Sequence, residues 1–332
     1  MKKITAIILT AISSLAMCAP ALSGCGGNGI NFTLSKDGTH YTVSFSGLSS
    51  PTGEYEIPEY YGDDNLPVTE IASEGFANTR FSKIVIPKTV TEIGTAAFSF
   101  CNRLKSVEFA EGIQLEKISH GMFAKAVNLS EIAIPDSVKE IEGMAFYGCN
   151  KLASVTMNSV EIIGSEAFEA CTALEQITLP SVLGTIGTMA FYNSGLKAVE
   201  IPDSVRDTKD EGGNITVYGL GYGAFNSCLS LESAKIGSGV SVIPSAVFGY
   251  CISLKEIYIP LSVKEVQGVY YENGSFVFGH AFYYCTALTD VYYEGDEEQW
   301  KDIKIDTKNL YESGVTMDNS AVIDAERHYE YK

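Results

Sequence analysis

Residues that carry catalysis are scarce in this 332-residue chain. It holds one tryptophan and four isolated histidines, His40, His120, His280 and His328. No H-E-x-x-H, G-x-S-x-G, Walker or dinucleotide glycine pattern occurs, so zinc-protease, serine-hydrolase and nucleotide chemistry lack their usual signatures. Cysteine pairs at the close spacing of zinc ligands are missing as well. Positive charge is short: 23 Lys and Arg stand against 41 Asp and Glu, a formal net charge of −18. Nucleic acid and anionic lipid surfaces repel such a body, because binding to them depends on cations that neutralise phosphate. Two acidic clusters, Asp63-Asp64 and Asp296-Glu297-Glu298, do not match the EF-hand loop and read as solvated loops ahead of calcium sites. No enzymatic activity, cofactor or metal is expected.

Long apolar runs are confined to the start of the chain. Met1-Lys2-Lys3 supplies a short basic region, and Ile4 to Ala19 is mostly apolar. That stretch is too short to span a bilayer comfortably and reads as a secretory signal. Its end, Leu22-Ser23-Gly24-Cys25, resembles the lipobox of bacterial lipoproteins. The resemblance implies cleavage before Cys25, with residues 1–24 removed and the Cys25 sulfur lipidated. Acyl chains at that sulfur anchor a protein to a membrane without a spanning helix. Cleavage would also remove Lys2 and Lys3 and carry the net charge from −18 to −20. Residues 25–36, opening with Gly26-Gly27-Asn28-Gly29, read as a flexible tether. The remainder is expected outside the cytoplasm and in water, with 45% hydrophobic residues to build a core.

Repetition is abundant. Phe76, Phe98, Phe123, Phe146, Phe168, Phe191, Phe225, Phe248 and Phe282 follow one another at steps of 22 to 25 residues, with two steps of 34. A period in this range signals a solenoid whose coils share one core. The two long steps place insertions within 206–221 and 266–279, expected as loops leaving one side of the stack. Leu104-x-x-Val107-x-Phe109, Leu174-x-x-Ile177-x-Leu179 and Leu254-x-x-Ile257-x-Ile259 alternate apolar and polar residues as half-buried strands do. Pro87, Pro135, Pro180, Pro202 and Pro260 end strands, since proline has no N–H to donate. A second short extended piece follows, such as Val90 to Ile93. Ser73, Thr95, Ser165, Thr188 and Ser245 then stand where N-caps of a one- or two-turn helix would, with Ala97, Phe98 and Cys101 on one helical face. The predicted fold is a repeat solenoid of parallel β-strands on one face and short second strands and short helices on the others. A β-rich N-terminal cap spans 37–66, nine coils span 67–293, and a C-terminal cap spans 294–332.

Ile132-Ala133-Ile134-Pro135-Asp136-Ser137-Val138, followed by Ala145-Phe146-Tyr147-Gly148-Cys149, is a near-complete copy of the unit. The pattern resembles the bacterial surface leucine-rich repeats of the BspA or Treponema type. Val291 to Gly295 with Gln299-Trp300 resembles the closing segment of that family, and Asp37 to Phe76 its lead-in. A parallel β-helix is the competing architecture; the helix-like Ala-Phe-x-x-Cys turn argues against it. The resemblance implies adhesion to a host or matrix protein, or to another bacterium. A glycan-binding lipoprotein of nutrient capture and a structural envelope protein are the alternatives.

Cys101, Cys149, Cys171, Cys228, Cys251 and Cys285 take the same place after their phenylalanines, and Ala126 takes it once. Alanine can stand in for a small buried thiol but not for a ligand or half a disulfide. The cysteines therefore read as core filling, with disulfides between stacked coils the lesser alternative. Ligand recognition must then use the surface. The middle residues of the main strands, from Val85 and Glu108 through Lys235 to Tyr258 and Tyr292, form an outward strip that becomes aromatic late in the chain. Tyr270 and Tyr271 sit in the second insertion. Tyrosine offers rigid contact area with a polar tip, so Tyr258, Tyr292, Tyr270 and Tyr271 are the candidate ligand-binding residues, set against a role in packing the cap. The partner is expected to be protein or glycan, with a membrane engaged only through Cys25.

Overall fold

The computed structural model describes residues 29–47, 52–272, 275–307 and 318–331. It is a β-solenoid in which strands of successive coils pair in parallel along two faces. On the main face Thr52–Glu56, Arg80–Ile86 and Ser106–Phe109 form one sheet, and Glu131–Ala133 pairs with Ser154–Thr156. Ala198–Glu200, Ser233–Lys235, Glu256–Ile259, Asp290–Tyr293 and Glu326–His328 form the last, five-stranded sheet. Alternation decides which residues enter the core. Ile257 and Val291 are fully buried, whereas Tyr258 and Tyr292 beside them face outward and are half-buried. The second face carries two-residue strands such as Glu140–Ile141 and Ile162–Ile163, paired in parallel coil to coil. Between the faces, proline opens a tight turn: the Pro135 carbonyl accepts from Val138 N–H at 3.0 Å, and Pro260 from Val263 at 3.2 Å.

The third face differs from the helix expected there. In the first full coil, Gly75, Ala77 and Thr79 donate to the carbonyls of Ala72, Glu74 and Phe76, three residues back. The intervening N–H groups of Glu74, Phe76 and Asn78 donate at 2.8 Å to Thr95, Ala97 and Ser99 of the next coil. Glu74 and Asn78 are left-handed, with φ 54° and 59°, as the third residue of a type II turn requires. Ala96 and Phe100 repeat this at 55° and 57°, and Ala170 has φ 58°. The segment is a run of linked β-turns whose alternate N–H groups stitch coil to coil. A helix would bond only within itself, so Ser73, Thr95 and their equivalents cap nothing. Both geometries turn Ala97, Phe98 and Cys101 inward, which is why the apolar spacing does not separate them.

The nine phenylalanines stack into a spine with neighbouring centroids 5.1 to 5.8 Å apart. Fully buried rings offset along the coil repeat make the core continuous from Phe76 to Phe282. At the N-terminal end Ile30–Leu34 pairs antiparallel with Tyr41–Phe45, which joins Leu66–Ile71 in parallel. At the other end Asp296 forms a capping box on the helix Glu297–Lys301, which buries Trp300 against Tyr293. The insertions are antiparallel hairpins: Thr208–Lys209 with Ile215–Val217, and Tyr270–Glu272 with Ser275–Phe278. Among the described residues no helix is long and apolar enough to cross a membrane.

Candidate functional site

The strand register sets the outward residues of the last sheet in two rows. One row runs Glu200, Lys235, Tyr258, Tyr292 and His328; the other runs Ala198, Ser233, Glu256, Asp290 and Glu326. In the first row Tyr258 and Tyr292 stack at 4.6 Å with an 11° interplanar angle, and Tyr292 stacks on His328 at 4.5 Å and 18°. Tyr331 lies across this ladder, 4.9 Å from Tyr258 and 5.6 Å from Tyr292, at 54° and 62° to them. Burial and then the Glu256 carboxylate push the Tyr258 hydroxyl above its ordinary range; burial and Asp290 do the same to Tyr292. In the second row His328 Nε2 meets Asp290 Oδ1 at 2.7 Å, and Thr289 donates to Oδ2 at 2.7 Å. The His328 bond, followed by that of Thr289, holds the Asp290 carboxyl below the usual carboxylate range.

N-terminal to this aromatic shelf the outer face opens into a shallow groove of about 600 Å³. Small residues floor it, among them Ala153, Ser154, Thr178 and Ser233, and Tyr258 closes one end. The strand ladder is interrupted here. Residues 174–179 form no strand between Ser154–Thr156 and Ala198–Glu200, and Val155 and Ile177 are only half-buried where Val199 and Ile257 are sealed.

Two of the four candidate tyrosines, Tyr258 and Tyr292, thus form the shelf. Tyr270 belongs elsewhere: its ring stacks on Tyr222 at 4.6 Å, and Phe278 joins them at 5.7 Å from Tyr222. This second aromatic group ties the insertion hairpin to the coil that follows the first insertion. Tyr271 occupies the same strand as Tyr270, and its side chain lies outside the described residues, as does Cys25. Sequence reasoning missed His328 and Tyr331. The available signal was the Glu326-Arg327-His328 alternation, which continues the polar-in-register pattern of Asp290-Val291-Tyr292 one strand further.

The repeat cysteines are six free, buried thiols. They do more than fill space, since each donates to the carbonyl of the phenylalanine one coil back. Cys149 Sγ reaches Phe123 O at 3.1 Å and Cys251 Sγ reaches Phe225 O at 3.1 Å. In the two short coils Thr79 and Ser194 take the cysteine's place, and their hydroxyls lie 3.3 and 3.2 Å from the Sγ atoms of Cys101 and Cys228 in the next coil. Burial pushes the Cys149 thiol up to about 12 and the Cys228 thiol to about 11, so neither is a thiolate nucleophile near neutrality. Asp290, Glu326 and His328 bring three ligating atoms within 4.8 Å of one another, but the His328 nitrogen is already engaged by Asp290.

A sequence profile described as the BspA type leucine-rich repeat region matches residues 69–197, 157–211 and 214–298, in six copies. The chain belongs to the BspA-type leucine-rich-repeat family. No curated protein matches it. Among solved structures, a leucine-rich cell surface protein of Faecalibacterium prausnitzii A2-165 is similar at 24% identity, over 87% of this chain and 99% of its own, with a TM-score of 0.49. A leucine-rich-repeat protein of Bacteroides capillosus shares 28% identity over 41% of this chain and 99% of its own, at 0.35. The leucine-rich-repeat protein of T. pallidum shares 22% over 71% and 81%, at 0.35. In BspA-type terms the profile ends at residue 298, yet the main sheet gains one more strand, Glu326–His328, and the shelf depends on it.

Proposed function

We propose that this BspA-type protein is a non-enzymatic surface binding protein, an adhesin that holds another macromolecule on the outer face of its main sheet. The carrying observation is the half-exposed ladder Tyr258, Tyr292 and His328 with Tyr331 across it, beside an open groove. Aromatic residues with polar tips are the side chains that dominate binding energy at interfaces. Their stacking on one another fixes their rotamers before any partner arrives, which lowers the entropy lost on binding. The N-terminal segment supports attachment outside the cytoplasm through a lipid at Cys25, and mass spectrometry of the mature N-terminus tests that part directly.

For the binding face, the test is a Tyr258→Ala/Tyr292→Ala double variant probed against a matrix-protein panel and a glycan array. Loss of about 2 kcal/mol or more of binding is expected for a central aromatic pair, with little change in melting temperature because neither ring is in the core. Retained binding, or a melting temperature that falls with it, would count against the reading. Recognition confined to the glycan array would make this a glycan-binding lipoprotein instead.

A further inference from the structure

The two outer rows of the last sheet are unequal in charge compensation. On earlier coils several main-face carboxylates are matched by lysines across the coil gap, Glu108 with Lys83 at 2.7 Å, Glu200 with Lys235 at 3.2 Å and Glu232 with Lys255 at 2.6 Å, while among the described residues isolated ones such as Glu131 are not. At the C-terminal end the matching stops. Glu256, Asp290 and Glu326 stand directly opposite one another on three adjacent strands. Among the described residues no lysine or arginine pairs with any of them; His328 pairs with Asp290, and the Tyr258 hydroxyl is the neighbour of Glu256. The cations adjacent in sequence are engaged elsewhere: Lys255 pairs with Glu232, and Arg327 points under the sheet, where its guanidinium lies over Trp300 and donates to the Ile323 carbonyl. Like charges directly opposite on neighbouring strands destabilise a sheet, so this row works against the fold that carries it. Each carboxylate is two residues from a shelf aromatic on the same strand and face: Glu256 from Tyr258, Asp290 from Tyr292, Glu326 from His328.

We propose that the last three strands dock an arginine-bearing basic segment of a partner protein, with guanidinium groups forking onto Glu256 and Glu326 while their stems and planes lie against the Tyr258–Tyr292–His328–Tyr331 shelf. This rests on the binding-face reading above and names the chemistry of its partner. A guanidinium suits both halves of the surface: its planar fork matches a carboxylate, and its weakly hydrated face is attracted to aromatic rings. The carboxylate row spans three strands, about 10 Å at ordinary strand spacing, which is wider than one metal ion's ligand shell. Glu256 lies outside the Asp290–Glu326–His328 grouping altogether. A net charge of −18 draws a basic segment toward the protein, and the uncompensated row gives it one place to land.

Fluorescence anisotropy with the full chain tests this, using a labelled peptide that alternates arginine and serine. Its counterpart with citrulline in place of arginine keeps the shape and removes the charge. Binding of the arginine peptide is expected, with affinity falling steeply between about 50 and about 300 mM salt, and the citrulline peptide should bind at least about tenfold more weakly. The Glu256→Gln/Glu326→Gln variant should lose at least about tenfold in affinity while its melting temperature holds or rises, because like-charge repulsion has been relieved. A merely structural role for these carboxylates would lower the melting temperature. Glu108→Gln/Glu131→Gln, at two exposed main-face carboxylates outside the last sheet, is the control and should bind as the parent does. Equal binding of the two peptides, or equal loss in the control, overturns the proposal. So does calorimetric binding of Ca²⁺ or Zn²⁺ that Asp290→Asn abolishes while the arginine peptide fails to bind. If the arginine peptide fails but Tyr258→Ala/Tyr292→Ala still abolishes capture of a matrix protein, this proposal falls and the binding-face reading stands.

Discussion

Cys149 and its equivalents hold their protons far into alkaline solution, and that fixes how the protein responds to pH. Burial is the main cause, raising Cys149 to about 12 and Cys228 to about 11 from an ordinary value of 9.0. Cys171 and Cys251 are raised well above 9.0 for the same reason. A group whose folded pKa is raised contributes its stability fully below the unfolded value and loses it as pH climbs through the folded one. Melting temperature is therefore expected to be level up to about pH 9 and to fall between about pH 9 and 12. A Cys149→Ala/Cys228→Ala variant should start lower, having lost packing and two thiol hydrogen bonds, and should fall less steeply in that window. The same burial predicts that a thiol reagent at pH 8 modifies none of the six until the protein unfolds. Labelling within minutes of mixing would show that the coils open far more readily than their packing implies.

At the scale of the element, the linked turns behave unlike the short helix they resemble. Ala170 has φ 58°, a conformation that costs a residue with a Cβ about 1–2 kcal/mol. In a helix, Ala170→Gly would cost about 1 kcal/mol. In the turn it should be neutral or stabilising, because the left-handed penalty is removed. Gly187 predicts the opposite sign: its Cβ would lie 2.5 Å from Ser165 N on the previous coil, so Gly187→Ala should destabilise by about 1–3 kcal/mol through overpacking. Urea unfolding of both variants checks the pair. Most of the coil was legible in the sequence because its signals are local or periodic: the phenylalanine step, the proline after each strand, the alternation around Val107 and Ile257. The turn was not, since a run of i to i+3 turns spaces its apolar residues as one helical turn does. The difference lies in the sign of φ at Glu74, Ala96 and Ala170, where no glycine marks it. The shelf was half legible for a related reason. Tyr258 and Tyr292 share a slot in their coils, whereas His328 belongs to a strand with no phenylalanine anchor, and Tyr270 is carried off by a hairpin that adjacency in sequence does not reveal.

For the whole molecule, a solenoid is stabilised by contacts between neighbouring coils, so its resistance to opening varies along its length. The coil around Ile177 is held on two faces and released on the third. Its turn segment is stitched to the next coil, with Phe168 N–H bonded to Ala190 O at 2.7 Å and Ala170 N–H to Tyr192 O at 2.8 Å. Its second strand, Ile162–Ile163, pairs with Thr185–Ile186. On the main face, by contrast, Gln176, Ile177 and Thr178 form no strand and their N–H groups make no backbone hydrogen bond, although Lys197 N–H still reaches Glu175 O at 3.0 Å. Amide exchange follows local opening, so the amides of 176–178 should exchange fast while those of 234–235 and 257–258 exchange slowly. Residues 168–170 should stay as protected as the matching turns of adjacent coils, which separates a break in one ladder from a loose coil. Uniform protection across the five coils from Ser154 to Tyr258 would show that the main-face ladder is continuous there. The same measurement reports on the groove, since these amides lie along its floor. A partner that runs from the aromatic shelf into the groove should slow exchange at 176–178, and one confined to the last three strands should leave it unchanged.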